Sequence, residues 1–195
     1  MKDQKLILAS SSPFRRDLLK RLMIPFDIVS PDIDETPLVG ESAQDLVRRL
    51  SVQKAQAVAG KSDHALVIGS DQVAVHADDQ IIGKPRDYAH AVRQLMASSG
   101  KTIMLYTGLA VINSTSGAVQ QDVIPYSVEF KILSHTQIER YLDKEKPYGC
   151  CGSLRADGLG ITLLQRFAGD DPTALIGLPL IRLVSMLHNE GLSPV

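Results

Sequence analysis

An acidic residue inside an apolar stretch is the clearest sign of chemistry in this sequence. Residues 65–75 are apolar apart from one glycine and the consecutive polar residues Ser70, Asp71 and Gln72. Burial of a carboxylate is costly unless the group is hydrogen-bonded, paired with a cation or bound to a metal. A carboxylate kept in such a place is a candidate for a general base or for a ligand of Mg²⁺. Asp71 is therefore the first candidate for a catalytic residue.

Serines and arginines at the start of a predicted helix indicate an anion site. Residues 10–16 follow a short apolar strand, and Ser12 with the proline after it is a typical helix start. The first N–H groups of a helix and its dipole favour negative charge. Arg15 adds a planar fork of donors that suits phosphate oxygens. An ordinary helix cap followed by surface arginines explains the same segment equally well.

Three further charged residues are candidates for a functional site only when they are considered together. Lys54 follows Val47 by seven residues and Leu50 by four, so it projects from the apolar face of its predicted helix. Its ammonium group either extends past the edge of the core or points into a polar cleft. Lys84 lies in a turn between a glycine and a proline, and on its own it is a common loop lysine. Glu35 ends an acidic loop, where a solvated charge is by itself the better interpretation.

The elements that must position these residues alternate between strands and helices before a long hairpin. Hydrophobic periodicity and capping residues predict helices over residues 14–23, 43–59, 88–97, 135–142 and 180–188. Apolar runs predict strands over residues 5–9, 26–29, 65–75, 102–112, 119–130 and 161–164. Gly100 is the expected end of the third helix. The pattern favours an α/β fold with a mixed sheet.

Composition narrows the class of protein. The chain has 195 residues, 21 basic and 22 acidic side chains, and a net charge of −1, which suits a single domain over residues 1–195 or two lobes with no separable linker. The neutral charge, 5% aromatic content and lack of tryptophan argue against a nucleic-acid partner. No apolar run is long enough for a membrane helix, and the start does not resemble a signal peptide. We therefore expect a cytoplasmic protein.

The two cysteines, Cys150 and Cys151, are adjacent in the chain. Neighbouring cysteines rarely form a disulfide, because the bond needs a particular separation and direction of the Cβ atoms. We expect both to be reduced, buried thiols, as is usual in a cytosolic protein.

Taken together, the segments resemble the Maf family of nucleoside triphosphate pyrophosphatases. The matching segments occur in family order at residues 6–16, 34–35, 54–55, 68–71, 83–85, 106–108 and 158–160. The resemblance implies a two-lobed Maf/ITPase-like α/β fold around a long mixed sheet, with an active-site cleft between the lobes. It also implies a hydrolase that converts a nucleotide to its monophosphate and pyrophosphate with a divalent metal cation such as Mg²⁺ or Mn²⁺. A small-molecule nucleotide is the implied partner, and a homodimer is the family's expected assembly.

The resemblance also assigns roles to particular residues. By position, Asp71 becomes the general base that activates water for attack on the α-phosphorus. Glu35 and Asp71 become the hosts of the divalent metal. The residues that would bind the phosphates are Ser10, Ser12, Arg15, Lys54 and Lys84.

Three positions bear on the choice of base. Family members that act on dTTP and UTP usually carry arginine, threonine and glutamine where this chain has Phe14, Gln72 and Asp157. The trio instead resembles the branch that acts on 7-methyl-GTP. Methylation at N7 makes guanine cationic, so stacking on Phe14 would gain ~0.5–2 kcal/mol, and Asp157 would accept hydrogen bonds from guanine. We expect hydrolysis of 7-methyl-GTP; the alternatives are dTTP or UTP, another modified nucleotide, or a non-catalytic nucleotide-binding regulator of septum formation.

Overall fold

A computed structural model describes residues 4–195 and shows an α/β chain with a mixed sheet. The strands are β1 (Lys5–Ala9), β2 (Asp27–Val29), β3 (Ala65–Val75), β4 (Ile81–Ile82), β5 (Thr102–Asn113), β6 (Val119–Phe130) and β7 (Leu164–Ala168). The α-helices are α1 (Pro13–Leu19), α2 (Ala43–Ala59), α3 (Tyr88–Ser98), α4 (His135–Glu145) and α5 (Leu180–Asn189). The predicted fold class is confirmed.

The sheet combines parallel and antiparallel pairs. Its strand order is β2-β1-β3-β5-β6-β7, and β4 pairs with β3. β1 lies parallel to both β2 and β3, whereas β3 with β4 and β6 with β7 are antiparallel. No helix within the described residues is long and apolar enough to cross a membrane.

Local capping explains where the helices begin. The hydroxyl of Ser12 accepts the backbone N–H of Arg15 at the start of α1, and Ser42 accepts that of Asp45 at the start of α2. Ser134 forms a reciprocal capping box with Gln137 at α4. Each cap satisfies a backbone donor that the first turn of a helix leaves without an intrahelical acceptor.

One predicted strand is wrong. Residues 159–163 form a short 3₁₀ helix (Leu159–Leu163), and the strand begins only at Leu164. The backbone N–H of Leu159 donates to Glu145 at 2.6 Å, and the hydroxyl of Thr162 donates back to the carbonyl of Leu159 at 2.7 Å. These local contacts hold the segment in a tight turn, although its apolar residues fit a strand.

The chain divides into two compact units. Of the described residues, unit 1 comprises 4–71, Thr107–Ile124 and Asp171–Val195, and unit 2 comprises Gln72–Tyr106 and Pro125–Asp170. The divisions fall within β3, β5 and β6, so these long strands contribute to both units. A single domain over residues 1–195 stays a prediction.

The core of unit 1 covers both faces of its strands. In β1, Leu6 and Leu8 belong to one buried cluster with residues of α1 and α5, while Ile7 and Ala9 belong to another with residues of α2. Alternate residues of a strand point to opposite faces, so a strand covered on both sides is apolar throughout. This explains why the sequence of β1 shows no polar alternation.

Candidate active site

Two glycines in neighbouring strands let the backbone of α2 approach the sheet of unit 1. A Cβ atom at Gly69 would lie 2.0 Å from the carbonyl oxygen of Ser51, and one at Gly108 would lie 2.1 Å from that of Val47. Real side chains do not tolerate such distances, so these positions need glycine for close contact. The approach brings Lys54, on the next turn of α2, to the middle of β3.

Lys54 lies between two carboxylates of unit 1. Its Nζ atom is 2.6 Å from Oδ1 of Asp71 and 2.9 Å from Oε1 of Glu35. Lys54 and Asp71 are 5% and 7% exposed, respectively, whereas the Glu35 side chain is 58% exposed. Lys54 therefore does not extend past the core into solvent, and Glu35 is more than a solvated loop charge. A buried carboxylate needs a partner, and the partner of Asp71 is the ammonium group of Lys54.

An arginine of α2 holds the loop that carries Glu35. Arg49 donates from Nε and Nη2 to the two oxygens of Glu41, at 2.6 and 2.7 Å, and from Nη2 to the carbonyl of Thr36 at 3.1 Å. The hydrogen bonds from Arg49 lower the pKa of Glu41 to about 2. Thr36 is the residue after Glu35, so this fork fixes the backbone beside the carboxylate. The sequence did not predict this role of Arg49, because an ion pair across an irregular loop leaves no periodic pattern in the sequence.

The predicted phosphate-binding residues Ser10, Ser12 and Arg15 lie together in unit 1. The hydroxyl of Ser10 accepts the N–H of Ser12 at 3.1 Å, and Ser10 is 4% exposed. Arg15 donates its Nε–H to the carbonyl of Gly177 at 2.8 Å. The hydroxyl of Ser70 also lies 2.9 Å from that carbonyl oxygen. The Gly177 carbonyl thus anchors both the arginine and the strand that carries Asp71.

A buried carboxylate fixes the loop of Gly177. Asp171 is 3% exposed, and its two oxygens accept the backbone N–H groups of Thr173 and Ile181 at 2.9 and 2.8 Å. Gly177 has φ +112°, a backbone region that favours glycine. Sequence reasoning assigned no role to Asp171 or Gly177. The sequence gives little indication of this role, because Asp171 between Asp170 and Pro172 is typical of an ordinary surface turn.

Of the remaining predicted residues, Phe14 lies on α1 in unit 1, whereas Gln72, Lys84 and Asp157 lie in unit 2. Gln72 follows Asp71 in β3, and its carbonyl accepts the thiol of Cys151 at 3.4 Å. Lys84 is exposed after β4. Oδ1 of Asp157 lies 3.4 Å from Nε of Arg155.

The cysteines are free thiols in unit 2, as expected. Both are partly buried, and burial raises the pKa of Cys150 to about 11, with a smaller contribution in the same direction from Cys151. The thiol form of Cys150 is therefore retained at neutral pH.

The carboxylates around Lys54 supply oxygen atoms, the kind of ligand that a small divalent cation takes. Oxygens of Glu35 and Asp71 both lie within 3 Å of one positively charged group. Mg²⁺ is usually held by one or two carboxylates together with water and substrate phosphates. Over residues 4–195, no group of three or more His, Cys, Asp or Glu side chains is arranged to hold a metal. Glu35 and Asp71 are therefore the residues that could contribute ligands to such an ion.

Fold and site define an α/β protein with a buried carboxylate–lysine pair, and comparison with known proteins assigns its family. The chain belongs to the family described as Maf-like protein, whose model matches residues 5–190. It is 53% identical over 186 residues to the 7-methyl-GTP pyrophosphatase of Nitrosococcus oceani, covering 95% of this chain and 93% of that protein. The protein of the same name from Pseudomonas aeruginosa is 53% identical over 95% of this chain and 96% of its own length.

A third relative named 7-methyl-GTP pyrophosphatase, from Nitrosospira multiformis, is 52% identical over 98% of this chain and 96% of its own length. Among solved structures, a nucleoside-triphosphatase / dITP/XTP pyrophosphatase from Mycobacterium abscessus aligns with 66% of this chain and 75% of its own. The TM-score of 0.42 and the identity of 15% make this similarity too slight to bear on function.

Proposed function

We propose that this chain hydrolyses 7-methyl-GTP to 7-methyl-GMP and pyrophosphate. The chain is a hydrolase of the nucleotide pyrophosphatase class, as its family and its relatives with 53% identity over 95% of its length indicate. The identity of the base and the roles of individual residues are our proposal. The observation that carries it is the buried Asp71 carboxylate, 2.6 Å from the ammonium of Lys54.

Asp71 acts in this proposal as the general base. A carboxylate is a competent base only if it is held within hydrogen-bond reach of the attacking water. The contact with Lys54 fixes its orientation, and the hydroxyl of Ser70, 2.8 Å from the carbonyl of Gly108, anchors the neighbouring backbone. These contacts hold the carboxylate in one position, which a base that must meet a single water molecule requires.

The phosphates bind, in this proposal, to Ser10, Ser12, Arg15, Lys54 and Lys84. Support comes from the orientation of Arg15, whose Nε–H donates to Gly177, because this hydrogen bond fixes the direction of the guanidinium plane. Lys54 supplies a positive charge that is already held beside Asp71. Removing Lys84, which is exposed, is therefore expected to weaken nucleotide binding without affecting the fold.

Glu35 and Asp71 would hold a divalent cation, Mg²⁺ or Mn²⁺. Such an ion would stabilise the negative charge that develops on the phosphate oxygens and on the departing pyrophosphate. Direct titration of the protein with Mn²⁺ by calorimetry, with and without pyrophosphate, tests this assignment independently of turnover.

Base selection would rest on Phe14, Gln72 and Asp157. A cationic 7-methylguanine stacks more favourably than guanine on an aromatic ring, by ~0.5–2 kcal/mol. Phe14 is partly buried on α1, and the Asp157 side chain is 30% exposed. Both side chains are thus accessible enough to contact a ligand. The names of the relatives support the same base.

Pyrophosphate release from 7-methyl-GTP, GTP, dTTP, UTP and CTP tests the proposal. With Mg²⁺ or Mn²⁺ present, we expect preference for 7-methyl-GTP and loss of turnover by ~10²–10⁴-fold in Asp71→Asn. Preference for dTTP or UTP would keep the chemistry and reject the base assignment. Nucleotide binding without turnover would instead support a regulator of septum formation.

We also propose, from the family resemblance alone, that the chain works as a homodimer in the cytoplasm. Sedimentation equilibrium across a hundredfold range of protein concentration checks the assembly, and cell fractionation checks the location. A monomer at all concentrations would reject the dimer.

A further inference from the structure

One carboxylate of α4 ties both ends of the segment that carries Asp157. Glu145 is the last residue of α4, and its side chain is 9% exposed. Its Oε1 accepts from Nη1 of Arg155 at 2.8 Å, and its Oε2 accepts the backbone N–H of Leu159 at 2.6 Å. Arg155 and Leu159 stand two residues before and two residues after Asp157. Glu145 therefore clamps what we call the 155–159 loop.

A tyrosine one turn earlier in α4 supports the start of the same loop. The hydroxyl of Tyr141 accepts the N–H of Arg155 at 2.9 Å and donates to the carbonyl of Ser153 at 3.1 Å. Tyr141 is 2% exposed, and burial raises its pKa well above the usual value, so the hydroxyl keeps the proton that it donates. The residues around Asp157 are thus fixed by two side chains of one helix.

The loop backbone packs directly on the Glu145 carboxylate. A Cβ atom at Gly158 would lie 2.7 Å from Oε2 and 3.0 Å from Oε1 of Glu145, and one at Gly160 would lie 2.4 Å from the carbonyl of Arg155. The φ of Gly158 is −123°, so the requirement there is space and not backbone conformation. Gly158 therefore serves the contact between the loop and α4, and Gly160 serves close packing against the backbone of Arg155.

The charges around Asp157 alternate in sign. Arg155 stands between Glu145, 2.8 Å from Nη1, and Asp157, 3.4 Å from Nε. Burial opposes the charge of Arg155, but the two carboxylates outweigh it and raise its pKa, so the group stays cationic. The three side chains together carry one net negative charge. If Glu145 were neutral, the guanidinium would compensate Asp157 alone, and the net charge would be zero.

We propose that Glu145 is a positioning residue for base specificity, which holds Asp157 in place and keeps a negative charge available to a cationic base. Glu145 acts through Arg155 and the 155–159 loop and does not itself touch the nucleotide. This inference rests on the proposed function, because it requires that Asp157 recognises the base.

The isosteric change Glu145→Gln removes the charge and retains the shape. We expect the ratio of kcat/KM for 7-methyl-GTP over GTP to fall by roughly tenfold, because the two substrates differ in the positive charge that this site recognises. Glu139→Gln is the matched control, since Glu139 lies on the same helix and pairs only at the surface with His135 at 3.3 Å. The control should keep the ratio of the wild type.

A double-mutant cycle with Asp157→Asn separates positioning from general damage. If Glu145 acts through Asp157, the Glu145→Gln change should alter the ratio more in the wild type than in the Asp157→Asn background. An unchanged ratio in Glu145→Gln, or an equal loss in both backgrounds, would overturn the inference.

Hydrogen exchange distinguishes failure of this inference from failure of the proposed function. A wild type with no preference for 7-methyl-GTP would reject the proposed base, and exchange of the amides in residues 153–160 would then decide the positioning role. We expect faster exchange there in Glu145→Gln than in the wild type or Glu139→Gln. Unaltered exchange would reject Glu145 as the clamp of the loop.

Discussion

The ammonium of Lys54 lies 2.6 Å from the carboxylate of Asp71, 17 residues away in the chain, and both side chains are buried. A buried pair of this kind is weak evidence for stability as a whole, because desolvation offsets much of its attraction. Removal of one partner has a much larger effect, since it leaves a buried charge uncompensated. Lys54 is therefore coupled to both the fold and the chemistry of Asp71.

Lys54→Met should lower the free energy of unfolding at neutral pH by about 3–5 kcal/mol. Urea denaturation measures this change, with Lys61→Met as control, because Lys61 is an exposed lysine just after α2. Adding Asp71→Asn to Lys54→Met removes the second charge and should restore part of the lost stability. A double variant no more stable than Lys54→Met would contradict the ion-pair explanation.

Glu35→Gln should weaken binding of Mn²⁺ by at least about tenfold while leaving the melting temperature unchanged. The Glu35 side chain is 58% exposed, so the fold should not depend on its charge. Binding of a metal ion by Glu35 would depend on that charge. Calorimetric titration in the presence of pyrophosphate gives the affinity. Asp32→Asn, an exposed change in the same loop, is the control. Equal affinities in both variants would remove Glu35 from the metal site.

Stability should depend on pH through the Glu41–Arg49 pair. The pKa of Glu41 is lowered from an ordinary 4.5 to about 2 in the folded chain. A carboxylate with a lowered pKa stabilises the fold fully above its unfolded value and loses this contribution as the pH falls through the folded value. The melting-temperature difference between the wild type and Glu41→Gln should therefore be constant above about pH 5 and shrink towards pH 2. A difference that does not change over this range would contradict the assignment.

Gly69→Ala should destabilise unit 1 and reduce turnover together. The added methyl group would meet the carbonyl of Ser51 at 2.0 Å, so α2 must move and carry Lys54 away from Asp71. Forced overpacking of this kind costs about 1–3 kcal/mol or more. Gly149→Ala is the control, because a Cβ there has no atom within 4 Å. Thermal unfolding and pyrophosphate release measure the two effects, and a fully active Gly69→Ala would show that the close approach is not required.

The helix boundaries were predictable because their causes are local. The cap at Ser42 placed the start of α2 correctly, and the predicted range 43–59 matches Ala43–Ala59. Gly100, expected to end α3, has φ +67°. The strand predicted at 161–164 was wrong because a 3₁₀ helix begins at Leu159, whose N–H donates to Glu145, a residue on another element. Local patterns cannot reveal a partner that only the tertiary fold supplies.

The same distinction applies to the site. Asp71 was visible as a carboxylate in an apolar strand, an anomaly that one segment shows by itself. Its contact with Lys54, the approach of Glu35 and the fork of Arg49 depend on how α2 packs. Asp171 was missed entirely, since its acceptor role concerns backbone groups in a loop with no regular period.

The anchor of Arg15 has a consequence for biosynthesis. The carbonyl that receives its Nε–H belongs to Gly177, 162 residues further along the chain. Chains emerge from the ribosome N-terminus first, so the arginine and Asp71 are translated long before the segment that completes unit 1. A nascent or prematurely terminated chain that ends before residue 171 cannot make this contact. Anchoring of Arg15 is therefore a late event in translation, and if Arg15 binds phosphate as proposed, incomplete products should not act on the nucleotide pool.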